Sequence, residues 1–240
     1  MVTMQRGFKS KLDTGGIDAG QPLQVWISIK GNSQYDFSCL AVNENDRVDD
    51  DRYVVFYGRE SSPNGEISLV NSSSKNAEFY VNLESLSPQI YKLCFAVTID
   101  GNGTMRDINA CTVKLMQNGQ TAFDLEVTGS LFQSQKAIIA VEIYNKNGWR
   151  VSAVANGFNF SGGLEALMTH YGVEVSDDAE TRSPPPPPNK PSGQPVRSAA
   201  QSSPPPRVEQ SPPPPRIEID NSPASGKNAE GFVRGDDDWV

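Results

Sequence analysis

Four aspartates, Asp46, Asp49, Asp50 and Asp51, stand close together behind Asn43 and Asn45. A hard cation such as calcium takes about six to eight oxygens from carboxylates, amides and backbone carbonyls, so this loop has the right donor types for one. The same residues also suit a plain solvated turn on a protein of net charge -8. The residues alone leave both readings open. Other reactive side chains are few. Cys39, Cys94 and Cys111 each sit in an apolar, strand-like run with no Cys-x-x-Cys spacing and no flanking histidine, so they are expected to be buried free thiols acting as small hydrophobes. The lone His170, beside Tyr171, is expected to be a packing or surface residue, because one histidine supplies no two-histidine metal site. Neither a G-x-x-x-x-G-K-[ST] loop nor a G-x-G-x-x-G after a strand is present, and no carboxylate pair has an acid-base setting. The expectation is a protein that is not an enzyme.

The elements that must position the acidic loop are strands. Residues 23–29, LQVWISI, alternate as a half-buried strand does, and similar runs recur at 37–42, 53–57, 66–70, 78–83, 91–99, 109–116, 121–127, 137–144 and 149–155. Turn formers separate them at Pro63-Asn64-Gly65, Asn118-Gly119 and Lys146-Asn147-Gly148, and Asp100-Gly101-Asn102-Gly103 reads as a hairpin turn. The fold class is therefore all-β: a β-sandwich of about ten short antiparallel strands with one or two short helices. Gly163 to Tyr171 is the best helix candidate, and Leu83 to Leu86 the second.

Composition changes sharply near residue 176. Pro22, Pro63 and Pro88 are the only prolines before that point, out of 18 in the chain. This predicts a globular domain at 1–176, a disordered proline-rich linker at 177–230 and an acidic, aromatic tip at 231–240. Within the linker, Ser203 to Glu209 is echoed by Ser211 to Glu218, and such proline runs act as extended spacers or as ligands for aromatic grooves. The tip joins Asp236, Asp237 and Asp238 to Trp239 and Val240, a layout able to fill an apolar pocket ringed by basic residues; a solvated end is the alternative. Basic residues are scattered singly among acids, which argues against direct binding of nucleic acid. The first residues lack the apolar core of a secretory signal and no apolar run is long enough to span a bilayer, so a cytoplasmic protein without membrane insertion is expected.

The ordered segments together resemble the TerD family of bacterial tellurite-resistance and stress-response proteins over about residues 4 to 176. Tyr35 to Cys39 is similar to the family's FDLDAS strand, Val54 to Arg59 to FVFYNN, and Ser62 to Glu66 to SPDGS. Asn82 to Leu86, Lys92 to Ile99, Gly148 to Phe158 and Gly163 to Val173 are similar to later segments in the same order. The resemblance implies a stress-response module that binds other proteins of its system through the sandwich; the layout of the tip adds the expectation that it tethers a further partner. No cofactor is fixed by this; calcium is the candidate, with Asp36, Asn64 and Glu78 as the ligands the resemblance points to and Asp46, Asp49, Asp50 and Asp51 as those the acidic loop adds. Two family acids are replaced here by Ser38 and Asn64, the family's paired asparagines by Gly58 and Arg59, and Lys75 falls in an acidic family cluster. Affinity follows ligand charge, so the calcium sites are expected to be degenerate; a calcium sensor or buffer is the alternative function.

Overall fold

The structure, a computed structural model, describes residues 1–159 and 163–174. The linker 177–230 and the tip with Asp236, Asp237, Asp238, Trp239 and Val240 lie outside the described residues. Thirteen strands and one α-helix are found among those described. The strands are β1 (Val2–Met4), β2 (Lys9–Lys11), β3 (Leu23–Lys30), β4 (Gln34–Val42), β5 (Val54–Phe56), β6 (Ile67–Ser72) and β7 (Asn76–Val81). They continue with β8 (Lys92–Asp100), β9 (Ala110–Gln117), β10 (Gln120–Val127), β11 (Ala137–Asn145), β12 (Trp149–Ser152) and β13 (Asn156–Phe158). The helix α1 is Gly163–His170.

One sheet has the order β1-β10-β9-β3-β7-β6, the other β2-β12-β11-β8-β4-β5, with β13 also paired to β11. Period-two burial explains the layering. In β3, Leu23, Val25, Ile27 and Ile29 point into the core while Gln24 and Trp26 face outward. Phe79 of the first sheet meets Phe95 of the second edge to face, with ring centroids 5.5 Å apart, at the centre of the sandwich.

All ten expected runs form strands, and three strands are added. β1, β2 and β13 have three residues each, too few to show alternation, and exist because a longer neighbour supplies the ladder. β1 runs parallel to β10, so the sandwich is not wholly antiparallel. Leu83 to Leu86 forms a turn in place of the second expected helix; Leu83 and Leu86 are both buried as anchors of the β7–β8 connection. The Asp100 segment is also not a hairpin turn. β8 and β9 belong to different sheets, so residues 101–109 cross from one layer to the other.

α1 lies on the outer face of the seven-stranded sheet. Leu164 and Leu167, with Tyr171 just past the helix, cover Leu40 and Val42 of β4, Cys94 and Ala96 of β8 and Ile139 of β11. The outer face of this sheet is thus a second, smaller core, and it reaches from the acidic loop at one end of β4 to Asp36 at the other.

Candidate functional site

The acidic loop joins β4 to β5, and its carboxylates face the protein's own cations and amides. Asp46, held at positive φ, meets Lys92 Nζ at 2.5 Å, and the same ammonium lies 3.3 Å from Glu142. Burial works against the charge of Lys92, but the hydrogen bond to Asp46 and the neighbouring Glu142 outweigh it and keep the ammonium firmly protonated. Asp49 accepts from Asn43 Nδ2 at 2.7 Å. Asp50 accepts from the side chain and backbone of Arg52, which hold its carboxyl below the usual range. Asp51 meets Arg59 through both its carboxylate and its backbone carbonyl.

This loop also grips the helix. Val48 N–H donates to Tyr171 O at 2.8 Å, and Arg47 Nη1 reaches His170 O, so the carbonyls at the end of α1 and just past it are met from the loop. Asp49, Asp50, Asn43 and Asn64 line a cleft of about 390 Å3 beside Tyr53.

Asn64 has a different task from the one expected of it. Its backbone and side-chain nitrogens donate to Glu66, which also accepts from Ser62 Oγ at 2.6 Å and from Tyr53 Oη. Burial opposes the Glu66 charge, yet the Ser62 and Asn64 hydrogen bonds win and bring its carboxyl down to about 2. Sequence reasoning passed over Glu66. Its one signal was the Ser-Pro-Asn-Gly-Glu turn, whose donors converge on the next carboxylate. Glu78 lies on the outer face of the other sheet, accepting from Gln24 and Asn71.

Asp36 stands apart from the rest of the predicted set. It lies on the outer face of β4, directly across from Thr98 of β8 and one step from Asp100. A cleft of about 560 Å3 is lined by Asp36, Asp100, Tyr57, Lys136 and Glu165 of α1. Burial, and then the Asp100 charge, push the Asp36 carboxyl above its ordinary value. Tyr57 is likewise raised, by burial and then by the charges of Asp36, Asp100 and Glu165. Lys136 is the cation on this wall, and it donates to Gly101 O at 2.6 Å. On the same face of β4 and β8, the buried hydroxyls of Ser38 and Thr98 have no hydrogen-bond partner among the described residues. Asp100, Glu165 and Thr98 were missed as site residues, because only the pairing of β4 with β8 and the docking of α1 bring them to Asp36.

The sequence-predicted ligands therefore do not converge. Asp49, Asp50 and Asn64 share one cleft, Asp46 and Asp51 turn to Lys92 and Arg59, Asp36 sits at the opposite end of β4, and Glu78 is on the other sheet. No three His, Cys, Asp or Glu side chains among the described residues are placed to hold one metal ion. Lys75 offers a built-in cation instead. Its ammonium takes the carbonyls of Gly31 and Ser33 at 2.7 and 2.5 Å and lies 4.8 Å from the Tyr35 ring centroid, tying the β6–β7 turn to the β3–β4 turn.

The thiols are buried as expected. Burial pushes Cys111 up to about 12, and burial with the Glu142 charge does the same for Cys94; burial, and then the neighbouring Cys94, raise Cys39 well above its ordinary value. A thiol so raised holds almost no thiolate at neutral pH. His170 packs against the rings of Phe158 and Tyr171.

The fold and its sites define a β-sandwich with one helix-covered face and a polar cleft at each end of that face. The chain belongs to the TerD-domain family, whose model matches residues 2–171. Its relatives include the tellurium resistance protein TerA of Alcaligenes sp., 35% identical over 136 residues, an alignment covering 55% of this chain and 38% of that protein. The uncharacterized protein YceE of Bacillus subtilis (strain 168) is 27% identical over 169 residues, covering 62% of this chain and 85% of YceE. Among solved structures, the protein of unknown function SAV2460 gives a TM-score of 0.49 at 14% identity over 60% of this chain and 92% of its own. The TerD homologue SCO6318 of Streptomyces coelicolor A3(2) gives 0.47 at 20% identity over 59% and 94%. The chain thus spans well under half the length of the TerA relative. No helix among the described residues is long and apolar enough to cross a membrane.

Proposed function

We propose that this chain is a non-enzymatic binding module of a bacterial tellurite-resistance or stress-response system, working in the cytoplasm by holding partner proteins. The observation that carries this reading is the fate of the reactive side chains. The thiols are sealed in apolar layers, His170 packs between two aromatic rings, and the loop carboxylates are committed to Lys92, Arg52 and Arg59. What is left for function is surface. The tip Asp236 to Val240 tethers a further partner through its carboxylates and Trp239. Deleting residues 177–240 tests the tether: partner recovery and tellurite tolerance are expected to fall, and if both are unchanged the tethering role is wrong.

A calcium sensor or buffer is the second reading, favoured by the Asp36 cleft. Asp36 and Asp100 have no cation of their own among the described residues, and Glu165 lies on the same wall. The acids here fall short of a three-carboxylate site, so a hard cation would draw on Asp36 and Asp100 together with backbone carbonyls and would relieve the repulsion between the two carboxylates. Thermal melts of the full chain with chelator and with millimolar calcium decide between the readings. A calcium-dependent rise in melting temperature that disappears in Asp36→Ala supports the sensor, because a ligand of the folded state stabilises it by mass action. An unchanged melt leaves the binding module alone.

A further inference from the structure

The β2 edge gathers cations that the sequence keeps far apart. β2 is the terminal strand of the seven-stranded sheet, and its register on β12 sets Lys11 directly across from Arg150 and Lys9 across from Ser152. Lys9, Lys11 and Arg150 therefore share the outward face, with Tyr144 next in the row beyond Arg150. None of the three cations has a carboxylate partner among the described residues. Glu142, the acid on the same face of β11, is engaged by Lys92.

The backbone beside them is open. Phe8 O accepts from Ala153 and Leu12 N–H donates to Trp149, so the alternation of an antiparallel ladder turns the peptide groups of Lys9 and Lys11 away from β12. No strand among those described pairs beyond β2. Lysines on an edge strand commonly guard against pairing with another copy. That guard also selects a partner. Two β2 edges would set lysines against lysines, whereas a strand bearing carboxylates at alternate positions would meet them face by face.

We propose that the β2 edge docks an extended, acidic segment of a partner protein, which joins the seven-stranded sheet as an added strand with its carboxylates on Lys9, Lys11 and Arg150. Backbone hydrogen bonds to β2 give the register, and the alternating charges give the choice of partner. A polyanion fits less well, since a duplex or an anionic bilayer meets the field of a chain carrying net charge -8, while a short peptide feels mainly the local cations. The inference rests on the binding-module reading, yet the two fail separately, because the peptide experiment is independent of the tail deletion.

The test is a nitrogen-15 NMR titration of the full chain with the capped peptide Glu-Val-Glu-Val-Glu-Val. Shifts confined to the amides of β2 and β12 are expected. The double variant Lys9→Glu and Lys11→Glu, whose side chains are exposed, should keep the parent melting temperature while binding the peptide at least about tenfold more weakly. Absent shifts, shifts unchanged by the double variant, or an equal response to Lys-Val-Lys-Val-Lys-Val would overturn the proposal. So would tighter engagement of the same amides by phosphatidylserine vesicles or duplex DNA.

Discussion

The acidic loop and the Asp36 cleft lie at opposite ends of β4, both lined with carboxylates, and they differ in what faces the charge. In the loop, Lys92, Arg52, Arg59 and Asn43 meet Asp46, Asp50, Asp51 and Asp49 in turn. In the cleft, Asp36 and Asp100 face each other, and the nearby lysine is bound to a carbonyl. A dense run of aspartates is thus the settled region, and a single aspartate inside a strand the unsettled one. Ligand capacity follows unmet charge, not the number of acids in a row.

The largest effect should come from taking away the loop's central cation. Lys92 has 13% of its side chain exposed and serves Asp46 and Glu142 together. Lys92→Met should destabilise the domain by about 2–3 kcal/mol, short of the full cost of a buried broken pair because Asp46 remains in solvent. Urea denaturation at neutral pH measures it, and a loss no larger than that of a surface pair would show that the loop does not rely on Lys92.

Next in size is Glu66→Gln. Replacing a buried carboxylate that accepts charge-assisted hydrogen bonds from Ser62 and Asn64 should cost about 2 kcal/mol at pH 7. The sign with pH follows from the direction of the shift. A carboxyl lowered to about 2 on folding contributes stability that is fully present above its unfolded value of about 4.3 and is lost as pH falls through the folded one. The difference between parent and variant should therefore shrink between about pH 4.5 and pH 2. Melts across that range check it; a constant gap would place the effect in packing and not in the charge.

The layer architecture was legible where burial alternates with period two, as the Leu23, Val25, Ile27, Ile29 series of β3 and the run of β9 show, while β4, β8 and β11 are buried on both faces because α1 covers the outer one. The pairing that defines the sites was not. Whether Asp46 is a ligand or half of an ion pair depends on Lys92, and whether Asp36 is isolated depends on Asp100 and Glu165; sheet register and helix docking set both, and neither leaves a local trace. β2 was hidden for a similar reason. KSK has no apolar pattern and becomes a strand only because β12 offers it a ladder.

The smallest expected effect sharpens the comparison most. Asp36 carries a carboxyl whose folded value lies above its unfolded one, so the folded state holds the proton more tightly and stability declines as pH rises through that interval. Asp36→Asn removes the penalty. It should raise stability at pH 7 by a fraction of about 1 kcal/mol, with the gain vanishing below about pH 4, where the parent carboxyl is already neutral. In the loop the corresponding change has the opposite sign, because Asp50 is held below its ordinary value by Arg52 and its charge favours the fold. Melting Asp36→Asn and Asp50→Asn side by side at pH 7 gives the direct readout. A rise in the first and none in the second would locate the unmet charge at the Asp36 cleft, and a fall in both would mean that Asp36 already has a counter-ion in solution.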